Sequence, residues 1–119
     1  RTKYSDFPSG KIIKSESPDF IIRTSKKRSV GIELTQITSE NLSAPFFHKT
    51  LEETISRKDE KLVIYKKKML DKYWLIIYSS LIQHKIPNNM LNKMDKHGFI
   101  SSFNKLFLFD LAVSKIWVM

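Results

Sequence analysis

One acidic residue of this chain lies at the start of an apolar segment, and a second lies inside the next apolar segment. Asp19 follows Pro18 at the start of an apolar segment, and a second apolar segment contains Glu33 between two aliphatic residues. An ionised carboxylate inside a buried strand costs free energy unless it is paired or binds a metal. The position of Glu33 therefore indicates a metal ion, a cationic partner or a catalytic role.

The two apolar segments predict a β-hairpin that brings the acids together. Residues 20–24 and 30–37 are predicted to be strands with a basic turn between them, and in the second segment the larger apolar residues alternate along the strand. A five-residue turn, 24–28, would place Asp19 directly opposite Glu33, whereas a four-residue turn would shift the pairing by one position. Opposed residues have Cβ atoms about 4.5–5.5 Å apart. Two carboxylates at that distance repel each other unless a cation lies between them.

A helix predicted over residues 49–70 offers a cation for this pair. Its apolar positions follow the three- and four-residue spacing of a buried face: Leu51, Ile55, Leu62, Tyr65 and Met69. Lys58 lies in the gap of this stripe and is the first candidate for the cation that pairs with the two acids. Lys61, one turn further along the helix, is the second candidate. The ordinary alternative for Lys58 is a packed stem whose ammonium group reaches water.

The remaining segments predict a single α/β domain over residues 1–119. Residues 73–78 form an apolar run typical of a central strand buried on both faces. A short helix is predicted from residue 87 to about residue 98, and further strands over 106–111 and 113–118. Residues 1–16 are polar, with a turn predicted at 8–10, and residues 38–48 are predicted to be an irregular linker. The resulting sheet has four or five strands covered by helices.

The net charge of +9 favours a polyanionic partner, either nucleic acid or, less often, an acidic membrane surface. Two basic clusters are candidates for phosphate contacts: Lys26, Lys27 and Arg28, and Lys66, Lys67 and Lys68. A charged turn and a solvated helix face are the ordinary alternatives for these clusters, and general solubility is the alternative for the net charge.

The absence of cysteine excludes disulfides and thiolate metal sites and is compatible with a cytoplasmic location. No apolar run approaches the roughly 20 residues that a membrane-spanning helix needs. These features predict a protein without a membrane partner.

Pro18-Asp19, then Glu33-x-Thr35 on the next strand, an amphipathic helix and the apolar strand around residues 74–77 together resemble the PD-(D/E)XK nuclease superfamily. The similarity covers residues 16–119. It implies a restriction-endonuclease-like core, in which a mixed central sheet is flanked by helices. It also implies a helix before the Asp19 strand, which we expect upstream of Arg1, and a homodimer, because restriction-type enzymes often act as dimers.

The resemblance further implies hydrolysis of DNA phosphodiester bonds with Mg²⁺ or Mn²⁺ as the cofactor. By similarity, Asp19, Glu33 and the carbonyl group of Leu34 would bind the metal, and Glu16 is a supplementary ligand candidate. Mg²⁺ is a hard cation that takes carboxylate, carbonyl, water and phosphate oxygens. A bound metal ion activates water and neutralises charge on the phosphate that is cleaved.

The superfamily places a lysine two residues after the acidic residue, and this chain has Thr35 there. Because threonine cannot supply a positive charge, Lys58, and after it Lys61, are the expected replacements. Two alternatives follow. One is a catalytically inactive domain of the same fold that binds nucleic acid or a protein partner, and the other is an interaction module whose acidic pair receives a lysine or arginine.

Overall fold

The computed structural model describes residues 10–15, 18–24, 28–65, 70–94 and 99–119, and these form an α/β fold around a six-stranded sheet. The strands are β1 (Lys11–Lys14), β2 (Phe20–Arg23), β3 (Ser29–Gln36), β4 (Lys72–Ser79), β5 (Lys105–Asp110) and β6 (Lys115–Val118). They lie in chain order across the sheet. Strands β3, β4 and β5 are parallel, and the outer pairs are antiparallel. The predicted mixed sheet is therefore present.

Helices connect the parallel strands because each crossover must return the chain to the same end of the sheet. Helix α1 (Phe47–Tyr65) joins β3 to β4, and the short helices α2 (Ile82–Lys85) and α3 (Asn88–Asn92) lie between β4 and β5. Pro45, in the 3₁₀ turn before α1, suits the first turn of a helix because it has no N–H to leave unpaired. No helix among the described residues is both long and apolar enough to cross a membrane.

Two apolar cores lie on the two faces of the sheet. The helix-side core includes Leu51, Ile55 and Leu62 of α1 with Leu75 and Ile77 of β4. The opposite-face core consists of Ile22, Val30, Ile32, Trp74 and Phe107. Because β4 contributes to both cores, it is buried on both faces, as its continuous apolar run predicted.

The structure corrects several predicted boundaries. Strand β1 lies within the polar residues 1–16, where no strand was predicted, and it pairs with β2. Helix α1 begins at Phe47, inside the segment predicted to be irregular, and Leu70, the predicted helix end, is not helical. Helix α3 ends at Asn92, short of residue 98. Helix α2 was not predicted, and its Gln83 N–H donates to the carboxylate of Asp110 on β5 (2.9 Å).

Candidate active site

The hairpin of β2 and β3 brings Asp19 opposite Glu33. Phe20 pairs with Ile32, and the last pair, Arg23 with Ser29, leaves residues 24–28 as the turn. The Thr24 N–H donates to the Arg28 carbonyl (3.0 Å) across the turn. Of the two turn lengths that the sequence left open, this pairing corresponds to the five-residue one, and the pairing extended by one residue sets the two acids across from each other.

Two backbone N–H groups donate hydrogen bonds to the carboxylates of the two acids. The N–H of Asp19 donates to Oε1 of Glu33 (3.3 Å), and the N–H of Leu34 donates to Oδ2 of Asp19 (2.8 Å). In an antiparallel strand, the N–H and C=O of one residue point to the same neighbour. The Leu34 carbonyl is therefore directed toward the Asp19 side of β3. The carboxylates of Asp19 and Glu33 and the carbonyl of Leu34 are oxygen donors of the kind that Mg²⁺ takes.

Lys58 reaches this pair from α1. Its Nζ lies 3.1 Å from Oε2 of Glu33, and the two side chains are only 17% and 7% exposed. Helix α1 covers this face of the sheet, where Glu33 lies beside Leu75 of β4. The ammonium group thus pairs with a buried carboxylate instead of pointing into water. The approach predicted from the helical stripe is observed, whereas the catalytic role of Lys58 stays a prediction.

Pro18 packs against β3 at Gly31, where there is no side chain to block it. A Cβ atom at Gly31 would lie 2.8 Å from Cγ of Pro18 and 2.7 Å from Cδ1 of Leu70, closer than real Cβ contacts allow. The glycine therefore lets Pro18 pack onto the strand and sets the position of Asp19, the next residue. Sequence reasoning missed this contact, although an isolated glycine in a strand is a signal of close approach.

Gly31→Ala is expected to destabilise the fold by about 1–3 kcal/mol, because the added methyl group overpacks this contact. Leu70 can move the end of its flexible side chain, but the Pro18 ring is rigid and must shift with the backbone. The coupling free energy between the two positions is measured by urea unfolding of four proteins: the wild type, Gly31→Ala, Pro18→Ala and the double variant Pro18→Ala/Gly31→Ala. We expect the double variant to be more stable than the sum of the single changes allows, by at least about 0.5 kcal/mol. Additive effects would show that the two residues do not compete for space.

The other residues predicted for the site or for phosphate contacts are half-buried, exposed or outside the described residues. Thr35 is half-buried on the same sheet face as Glu33, two residues further along β3. Lys61 is exposed on α1, and Arg28 is exposed at the end of the hairpin turn. The following predicted residues lie outside the described residues: Glu16, Lys26, Lys27, Lys66, Lys67 and Lys68.

Within the described ranges, no group of three or more His, Cys, Asp or Glu side chains could hold a metal ion. The candidate centre has two acidic side chains, Asp19 and Glu33. Mg²⁺ is commonly bound by only one or two carboxylates, with water and substrate phosphate oxygens as its other ligands. The donor set is therefore compatible with a nuclease-type Mg²⁺ site.

No protein-family model matches the chain, and no curated protein or solved structure matches it. The proposed function accordingly rests on the geometry of Asp19, Glu33, Leu34 and Lys58.

Proposed function

We propose that this protein is a metal-dependent nuclease of the PD-(D/E)XK type that hydrolyses DNA phosphodiester bonds with Mg²⁺ or Mn²⁺. One observation carries the proposal: β2, β3 and α1 bring Asp19, Glu33 and Lys58 into a single hydrogen-bonded cluster. The resemblance in sequence assigns Asp19 and Glu33 as metal ligands, and Lys58, predicted from the helical stripe, supplies the cation that the motif lacks at Thr35.

The acidic residues would hold the metal ion, with the Leu34 carbonyl as a third ligand. When bound, the ion supplies an activated water molecule and neutralises charge on the phosphate. The Leu34 N–H keeps the Asp19 carboxylate turned toward β3, so that little reorganisation is needed for binding. Because β3 is an interior strand of the sheet, both ligands of this strand are held on a rigid element.

Lys58 would take the place of the lysine that is missing at Thr35. A fixed ammonium group next to the reacting phosphate stabilises the negative charge that develops in the transition state. Its position on α1 is set by packing of the neighbouring Ile55 and Leu62 in the helix-side core. The net charge of +9 suits a polyanionic substrate.

The second candidate is an inactive domain of the same fold that binds nucleic acid or a protein partner. The Lys58–Glu33 pair favours it, because the ammonium group already neutralises Glu33 and Thr35 adds no charge. In that case the cluster would serve stability alone.

Cleavage of supercoiled plasmid DNA by the purified protein tests the proposal. We expect nicking or linearisation with Mg²⁺ or Mn²⁺, full inhibition by EDTA, and loss of cleavage in Asp19→Asn. Asn preserves the hydrogen bond from Leu34 N–H but is a weaker metal ligand. Asp59→Asn is the matched control and should cleave like the wild type. Asp59 lies on α1, but its carboxylate accepts hydrogen bonds from Ser101 and Ser102 and not from the candidate site.

Calorimetric titration with Mn²⁺ gives a readout independent of cleavage. Wild-type protein should bind the ion and Asp19→Asn should bind it weakly or not at all. A wild type that neither binds Mn²⁺ nor cuts DNA would refute the nuclease proposal and leave the inactive domain.

A further inference from the structure

A cleft of about 440 Å³ lies at the end of the sheet where the three parallel strands begin. We call it the basic cleft. Its lining includes three cations, Arg28, Lys72 and Lys105, together with Ser29, Asp71 and Trp74. Its volume falls within the range of about 300–1,000 Å³ that is usual for ligand sites.

The strand register explains why these cations converge. Val30 of β3 pairs with Lys72 of β4, and Trp74 of β4 pairs with Lys105 of β5. Because side chains alternate along a strand, Lys72 and Lys105 lie on the face of Trp74. That face carries the opposite-face core, so the basic cleft is separated from Glu33 and Lys58 by the sheet.

The charges that line the basic cleft favour an anion. Asp71 is the one acidic residue in the described lining, and its Oδ2 accepts the Ser29 N–H (2.7 Å). The Nζ of Lys105 lies 5.0 Å from the centre of the Trp74 ring, a cation–π contact that holds this ammonium group at the wall. The positive charges that line this cleft repel each other, and a bound anion would offset the free-energy cost of that repulsion.

We propose that the basic cleft binds a backbone phosphate of the DNA substrate, as an anchoring contact outside the bond-cleaving site. This inference rests on the proposed function for the identity of the ligand.

The salt dependence of DNA binding tests the basic cleft. Full-length wild type is compared with Arg28→Gln/Lys72→Gln/Lys105→Gln by fluorescence anisotropy, using a labelled 20-base-pair duplex in EDTA. Each phosphate contact contributes about 0.9 to the slope of log K against log salt, so loss of the one contact proposed here should lower the slope by about 1. The matched control, Lys49→Gln/Lys85→Gln/Lys93→Gln, removes the same charge from exposed positions on or beside the helices and should lower the slope by less than about 0.5.

Equal slopes for the cleft variant and the control variant would overturn the assignment. Melting temperatures with inorganic phosphate, at constant ionic strength, separate the two sources of a phosphate group. Stabilisation of the wild type by inorganic phosphate, absent in the cleft variant and without a slope difference, would assign the cleft to a free anion and overturn DNA binding there. A slope difference in a protein that never cuts DNA would support the cleft and refute the nuclease function. Equal slopes in a protein that cuts would refute the cleft alone.

Discussion

Glu33→Gln is expected to lower metal-dependent DNA cleavage by at least about a hundredfold, the scale on which loss of one charge-stabilising group acts. Gln keeps the size of the side chain and can still accept the Asp19 N–H, but it lacks the negative charge that attracts Mg²⁺. Initial cleavage rates at several Mg²⁺ concentrations measure the effect. DNA binding in EDTA should change little, because phosphate contacts are made by cations.

Glu40→Gln is the matched control, since Glu40 is exposed and the change removes the same charge. We expect this variant to cleave like the wild type. Cleavage by Glu33→Gln at the wild-type rate would show that Glu33 is not a metal ligand. Equal loss in both variants would show that net charge, not the site, governs the reaction.

Lys58→Met is expected to destabilise the folded state by about 2–3 kcal/mol. Removal of one partner from a buried pair costs about 3–5 kcal/mol because a charge is left in the interior, and partial exposure of Lys58 reduces that figure. Glu33→Gln should cost less, since the long lysine side chain can turn its ammonium group into water. Urea unfolding of both variants measures this asymmetry.

The double variant Glu33→Gln/Lys58→Met completes the cycle. It should be more stable than Lys58→Met alone, because the uncompensated carboxylate is gone. Lys61→Met, at an exposed site on the same helix, should stay within about 0.5 kcal/mol of the wild type. Equal effects of Lys58→Met and Lys61→Met would contradict the ion pair.

The same variants separate a catalytic Lys58 from a structural one. Lys58→Met should lose cleavage at temperatures where it is fully folded, and Thr35→Lys in that background should restore part of it, because Thr35 lies on the sheet face of Glu33. A folded Lys58→Met protein with normal cleavage would confine Lys58 to a structural role.

Local patterns in the sequence determined a large part of the candidate site. Alternation in residues 30–37 predicts β3 and the face of Glu33, whereas the turn length that sets Asp19 opposite Glu33 was left open and was decided by the strand pairing. The spacing of Leu51, Ile55 and Leu62 predicts the buried face of α1, so that Lys58 is directed to the sheet. These features follow from the periods of strand and helix, which are written in consecutive residues.

Tertiary structure decided the features that have no local period. Strand β1 is ordered by pairing with β2, and α2 is capped by Asp110 from β5. The contact of Pro18 with Gly31 joins the residues before β2 to β3. Local patterns give a residue its direction within one element, but distances between elements depend on how those elements pack.

The partner of Lys58 and the basic cleft were also decided by tertiary structure and not by local sequence patterns. The helical stripe directed Lys58 to the sheet, but only packing of α1 on β3 and β4 set its Nζ 3.1 Å from Glu33. Lys72 and Lys105 are the first residues of β4 and β5, and nothing in the sequence around either lysine indicates that they line the same cleft. The parallel register of β4 and β5 brings them to one face, because it fixes which residues of distant segments are neighbours.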